Sequence, residues 1–344
     1  MPSLHRNAFD LIRHLAALSV LVSHHYALSG LDSPGLGGSH NLGALAVLAF
    51  FSISGYLITL SFCRSASFSN YLLKRVARLF PALIGCSLLM VYVAAPLLSE
   101  RGMSRLLDGS ALLDFLRISA MGQANLPDVT VGFIFPDSFN GSLWTLKIEF
   151  ACYLAVAALL SLTRGPLLPL GAALLLAGLS GYLGRFGEGV WAAKLTTYLS
   201  VASAFFLGSF FAFRQAWLAR PEVLVSMIVV GIALLGGTLG SAWSLPVGSL
   251  AMCLITLGVG LLFTDRLIAG RFDVSYGIYL YAFPVQQVVI NRSGLGFYPG
   301  MALTALLVLV LAALSWHLLE CPALRMAHRR AARSVVAPVG GQME

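Results

Sequence analysis

The residues Arg6–His25, RNAFDLIRHLAALSVLVSHH, form an apolar run that carries charge and imidazole where lipid disfavours them. On a helix turning about 100° per residue, Arg13 falls roughly −60° and His24 roughly −40° from Asp10, so the three share one face. A rise of about 1.5 Å per residue sets His24 roughly 16 Å along the axis from Arg13, which makes a track through the membrane more than a cluster. Ionisable groups at that depth are costly and are read as functional, facing a protein interior or a wet cavity. The plainer alternative is a signal segment, or an ordinary spanning helix with an interfacial Asp–Arg pair. Histidine is the natural base for such a track: its ordinary pKa near 6.5 lets it take a hydroxyl proton at neutral pH and return it, or accept an acyl group itself. A second group, Asp10 or Glu149, would set its tautomer and charge. His24 and His25 are adjacent and point about 100° apart, so they make no metal pair.

Other stretches supply partners for this chemistry. In YLLKRVARLFP, Tyr71–Pro81, Arg75 and Arg78 stand three apart on one helix face, where two guanidiniums could grip phosphates through charge-assisted, bidentate hydrogen bonds. Anchoring against lipid headgroups explains them equally well. In SLWTLKIEF, Ser142–Phe150, Lys147 and Glu149 lie about 200° apart on a helix and cannot pair. Glu149 is therefore expected to look inward to another helix, while Lys147 snorkels to the interface. The small residues Ser52, Ser54 and Gly55 of FFSISGYLI suit close helix packing. The tyrosines Tyr276, Tyr279 and Tyr281 of DVSYGIYLYAFPVQQ read first as an aromatic belt. Glu320 is expected to pair with a neighbouring arginine. No serine nucleophile elbow, Walker loop or dinucleotide turn occurs, and Cys63, Cys86, Cys152, Cys253 and Cys321 have no metal-ligand spacing. The pattern suggests a donor held by Arg75 and Arg78 on the cytoplasmic side, a reacting group near His24, and an acceptor arriving from outside. A pantetheine arm could cover the distance of roughly 16 Å between the Arg13 and His24 levels.

The elements that must position these residues are membrane helices. Of 344 residues, 58% are hydrophobic and 10% charged, against about a quarter charged in soluble domains. The mean hydropathy is +0.85. Runs of about twenty apolar residues predict an all-α, polytopic chain with about ten spans, at 8–27, 42–62, 79–98, 142–162, 166–184, 196–213, 222–240, 246–264, 274–291 and 299–319. The net charge of +8 comes mainly from arginines at span ends, so membrane topology explains it better than nucleic acid does. Arg64, Lys74, Arg75, Arg78, Arg164, Arg214, Arg220, Arg266 and Arg271, with Arg325, Arg329, Arg330 and Arg333 of the tail, mark the cytoplasmic loops and set both termini inside. The opposite loops are acidic or nearly neutral. The longest, about 99–141, holds Glu100, Asp108, Asp114, Asp128 and Asp137 against Arg101, Arg105 and Arg117, and either covers a site or is disordered. The first helix is expected to stay, because it lacks a small-x-small cleavage site. One membrane domain, 1–330, and a cytoplasmic tail, 331–344, complete the expected organisation.

Taken together, the motifs resemble those of membrane-bound acyltransferase family 3, the O-acyltransferases that acylate bacterial surface sugars. The likeness runs in family order: Asp10, Arg13, Ala16, Val20 and His24; FFSISGYL at Phe50–Leu57; KRVARLFP at Lys74–Pro81; WTLKIEF at Trp144–Phe150; SYGIYLYAFP at Ser275–Pro284; and ECP at Glu320–Pro322. The resemblance implies a multi-pass protein of the bacterial inner membrane that moves a short acyl group, acetyl above all, from acyl-CoA to a hydroxyl of a surface polysaccharide, lipopolysaccharide or lipid-linked glycan. It implies His24 as catalytic histidine, Arg13 as an essential arginine, Arg75 with Arg78 as the pair handling acyl-CoA, and Glu149 as the fourth-motif glutamate. No metal and no nucleic acid is expected. The pattern departs at Ala282, where the family usually has histidine, and in lacking the esterase-like C-terminal domain of some members, which implies a stand-alone version. Two other readings stand beside it: a proton-coupled secondary transporter with Asp10, Arg13 and Glu149 at mid-membrane, and a structural subunit of a polysaccharide-export assembly.

Overall fold

The computed structural model describes residues 7–37, 40–107 and 109–336. Arg6, Asp108, the side chain of Arg333 and residues 337–344 of the expected tail lie outside the described residues. Among the described residues the chain is helical throughout, with two isolated bridges, Gly35 to Asn41 and Ala124 to Asn140, in place of strands. A helix closes its backbone hydrogen bonds within one segment, which is what apolar runs crossing lipid require. The helices are α1 Phe9–Leu28, α2 Leu42–Arg64, α3 Phe68–Leu88, α4 Ala95–Leu98, α5 Ser110–Ser119, α6 Trp144–Leu162, α7 Leu167–Phe186, α8 Gly189–Ala212, α9 Gln215–Leu218, α10 Pro221–Thr238, α11 Ser244–Leu262, α12 Ser275–Arg292, α13 Phe297–Ser315 and α14 Cys321–Val336. Short π-helical segments, Leu89–Ala94 and Trp316–Glu320, join α3 to α4 and α13 to α14.

Among the described residues, eight stretches are long and apolar enough to cross a membrane: Leu42–Arg64, Phe68–Leu98, Gly141–Leu162, Leu167–Phe186, Gly189–Ala212, Pro221–Thr238, Ser244–Leu262 and Phe297–Ala332. The two further expected spans are α1, of 20 residues, and α12, of 18, which have the length but carry the polar groups. Both are sheltered by protein. In α12, Tyr276, Tyr279, Tyr281, Gln286 and Gln287 are all buried, so the tyrosines form no aromatic belt. A helix this polar gains its place by facing other helices, with Gly277 set close enough to the backbone of Ala312 on α13 that a Cβ would meet it at 2.9 Å. Gly55 does the same for α2 and α8, since a Cβ there would collide with the Phe205 carbonyl, and one at Gly208 with the Ser52 carbonyl.

Helix α3 differs from the expected span, which began at residue 79. The Ser67 hydroxyl accepts from the Asn70 N–H at 3.2 Å and caps a helix that starts at Phe68 and runs through Pro81. Arg75 and Arg78 therefore belong to the same helix as the span. The long loop is folded. Arg105 is buried there, paired with Asp114 and 3.0 Å from Asp128, and the Gln287 amide donates at 2.8 Å to the carbonyls of Phe135 and Ser138. The loop thereby rests on the end of α12. The outward faces of Leu112, Leu113 and Leu116 on α5 leave it apolar toward its surroundings.

Candidate functional site

The chain alternates direction, so Arg64, Lys74, Arg164, Arg214, Arg266 and Arg325 gather at one end of the bundle and the 99–141 loop at the other. A cavity of about 370 Å³ opens at the arginine-rich end between α1, α2, α3, α6 and α12, with Leu324 and His328 of α14 at its mouth. Its wall is organised around Asp273. This carboxylate accepts from the N–H and hydroxyl of Ser275, at 3.2 and 2.5 Å, where α12 begins. Its other oxygen lies 2.6 Å from Nη2 of Arg78 and 3.8 Å from Nη1 of Arg13. Burial works against the charge on Asp273, but the guanidiniums of Arg78 and Arg13 outweigh it and hold the carboxyl well below the usual carboxylate range. Arg13 also lies 3.9 Å from Asp10, and Arg78 lies 3.8 Å from Glu320, the expected arginine partner of that residue. Beside them, Nε2 of His14 accepts from the Val274 N–H at 3.2 Å, so Nδ1 carries the proton and donates to the Asp10 carbonyl at 2.7 Å. Sequence reasoning singled out neither Asp273 nor His14. The one available signal was an acidic residue two positions before a serine at a helix start.

Arg75 is different. Its guanidinium lies 5.9 Å from the ring centres of both Tyr71 and Tyr153, and Nη2 reaches the Ser61 hydroxyl at 3.4 Å. Among the described residues, no carboxylate lies within ion-pair distance of it, and its buried Nε has no hydrogen-bond partner. The two arginines of the KRVAR stretch are thus unequal: Arg78 is held by carboxylates, whereas Arg75 faces the cavity between two tyrosine rings and a serine hydroxyl. Glu149 faces the same space from α6, accepting from the hydroxyls of Ser54 at 2.9 Å and Tyr153 at 2.5 Å. Lys147, two residues away on α6, sits over the Tyr198 ring at 5.9 Å.

His24 is not among the residues that line this cavity. Val20, Ala46 and Tyr279 pack as one layer, and Thr145 and Tyr279 share a hydrogen bond of 2.7 Å across the cavity roof. His24 is one turn above Val20 and Phe283 one turn above Tyr279, and their rings meet edge-on with centres 5.1 Å apart. The buried Nδ1 of His24 has no hydrogen-bond partner. Neither Asp10 nor Glu149 reaches the ring, so the expected orienting carboxylate is absent from this conformation among the described residues. The adjacent His25 turns away and meets the Phe297 carbonyl at 3.1 Å. Beyond Phe283 lies Gly141, whose added Cβ would meet that ring at 2.8 Å. Gly141 lines a second cavity, of about 570 Å³, under the 99–141 loop. His24 therefore occupies the layer between two cavities, screened from one by Tyr279 and from the other by Phe283.

Among the described residues, no cluster of three or more His, Cys, Asp or Glu side chains is placed to hold a metal ion. Residues 6–319 match a family model described as an acyltransferase domain. The chain is 37% identical over 321 residues to the O-acetyl transferase of Shigella phage Sf6, covering 91% of this chain and 95% of that protein. It is also 30% identical over 368 residues to Nodulation protein 10 of Rhizobium leguminosarum bv. viciae, covering 94% of each. No solved structure matches the chain.

Proposed function

As a chain that belongs to the acyltransferase domain family, it is a membrane acyltransferase, and we propose that it moves an acetyl group from acetyl-CoA to a hydroxyl of a surface polysaccharide or lipid-linked glycan. The observation that carries this reading is Arg75, a half-buried cation without a carboxylate within ion-pair distance among the described residues, in a cavity whose lining reaches Tyr279, one turn of α12 before the Phe283 ring that meets His24. An unpaired guanidinium costs free energy unless an anion completes it, and the phosphates of a coenzyme A thioester are such an anion. Arg13 and Arg78 hold the wall beside it through Asp273. The positive-inside rule sets this end in the cytoplasm, where acyl-CoA is made, with both termini inside and ten spans in the bacterial inner membrane.

The thioester arm enters between α1, α2 and α12 toward the His24 layer, roughly 16 Å along α1 from Arg13. His24 then removes the proton from the acceptor hydroxyl as its oxygen attacks the thioester carbonyl carbon. The carbon–sulfur bond breaks, and the departing thiolate takes that proton back from the imidazole. The alternative order passes the acyl group through His24 itself. Either order requires Tyr279 or Phe283 to shift, because both rings screen His24 in this conformation. Glu149 holds the roof polar through Ser54 and Tyr153. The test is ester analysis of surface polysaccharide from a deletion strain complemented with wild-type protein or with His24→Ala at equal level. Wild type is expected to restore the ester and His24→Ala is not; equal restoration would remove His24 from the mechanism.

A further inference from the structure

The second cavity holds groups for which the chemistry at His24 has no use. Its wall is an aromatic pair, Trp144 from the start of α6 and Tyr198 from α8, stacked with ring centres 5.3 Å apart and planes 21° from parallel. Around it stand an exposed amide from each of Gln123 and Asn125, the exposed carboxylate of Asp137, and the ammonium of Lys194. These polar groups come from the 99–141 loop and α8, which the buried Arg105 ion pairs and the Gln287 amide hold against the bundle. At about 570 Å³ the cavity falls within the range of pockets that enclose small ligands. Its floor, Gly141, touches Phe283, and Phe283 touches His24.

We propose that this cavity binds one pyranose unit of the acceptor glycan, with the Trp144–Tyr198 wall against the ring's C–H face and Gln123, Asn125 and Asp137 on its hydroxyls; the inference rests on the acyltransferase reading above. The lining argues for this occupant over a lipid chain. A lipid tail would be left facing two amides, a carboxylate and an ammonium with none of their hydrogen bonds made. A sugar ring pairs each of them: amides and carboxylates bridge neighbouring hydroxyls, the ammonium donates to a third, and an aromatic face covers the apolar side that the hydroxyls leave bare. The Gly141 floor then matters for a second reason. With no side chain there, the Gly141 floor packs directly on Phe283, the ring that meets His24, and in the proposed site that ring moves aside to let an acceptor hydroxyl approach the imidazole.

The test uses the full-length protein in detergent and, as probe, surface polysaccharide isolated from the deletion strain and fluorescently labelled. Equilibrium dialysis measures binding without any turnover, and transfer from radiolabelled acetyl-CoA is measured on the same preparations. Gln123→Ala and Asp137→Ala alter exposed side chains and leave the fold intact; Trp144→Ala removes the wall, and Phe263→Ala, on the exposed end of α11 outside both cavities, is the control. The expected result is binding by wild type and Phe263→Ala, weakened ten-fold or more in the other three, with KM for polysaccharide raised to match. Wild-type binding that all three variants retain would overturn the cavity as the acceptor site while leaving the acyltransferase reading standing. Transfer to polysaccharide without loss in the variants would do the same. Failure of wild type both to bind and to transfer would overturn the acceptor reading on which the inference rests.

Discussion

At the scale of single residues, the site is a separation of roles between groups that look alike in sequence. Arg75 and Arg78 stand three apart with the same side chain, yet Arg78 is tied to Asp273 and Glu320 while Arg75 faces open space. Spacing put both on one helix face, but only the fold could say which had carboxylates opposite, because Asp273 and Glu320 are more than 190 residues away in the chain. The difference predicts two unlike phenotypes. Arg78→Ala takes the guanidinium from the buried Glu320 and the half-buried Asp273 and is expected to cost about 3 kcal/mol of stability, read as a lowered melting temperature and reduced folded yield. Arg75→Ala removes no ion pair; it is expected to leave the melting temperature near wild type and to raise KM for acetyl-CoA at least ten-fold. The Asp10–Arg13–His24 stripe was legible from the angle per residue alone. That His24 would have Phe283 as its neighbour, and no carboxylate, was not, since nothing local in the sequence encodes a contact 259 positions away.

At the scale of elements, the apolar runs located α1 and α12 along with the rest of the scaffold, although these two helices are the most polar of the expected spans. Among the described residues eight stretches are long and apolar enough to cross a membrane, and of the ten expected spans α1 and α12, which bring His24, Arg13 and Tyr279, are the two outside that set. A helix enclosed by other helices does not have to match lipid, so its polar content reports on protein neighbours and the composition rule weakens there. The small residues of α2 were a better guide. Gly55 and Gly208 let α2 and α8 approach until a Cβ on either would strike the other's backbone. Gly55→Leu is therefore expected to force the pair apart, abolish transfer and lower the melting temperature. Ser54→Ala, one position away, loses only the hydroxyl on Glu149 and is expected to keep the fold. A thermal-shift measurement on the two purified variants separates these outcomes.

At the scale of the whole molecule, the account is of two cavities facing opposite ends of one helical bundle, with an imidazole in the layer between them. The basic end, the folded loop at the other, and the unbroken 20-residue α1 between them are the parts from which the proposed path across the membrane is built. The sequence carried the ends of this path, through its arginines and its long loop, but not the cavities, one of which opens among five helices and the other between the loop, α6 and α8. The most direct measurement uses sealed vesicles with the arginine-rich face outward, radiolabelled acetyl-CoA outside, and unacylated polysaccharide trapped within. The account predicts that wild type labels the trapped polysaccharide and that His24→Ala lowers the rate at least 100-fold, the scale of lost acid–base catalysis. Transfer by His24→Ala at the wild-type rate, or labelling confined to glycan on the donor's own side, would contradict it.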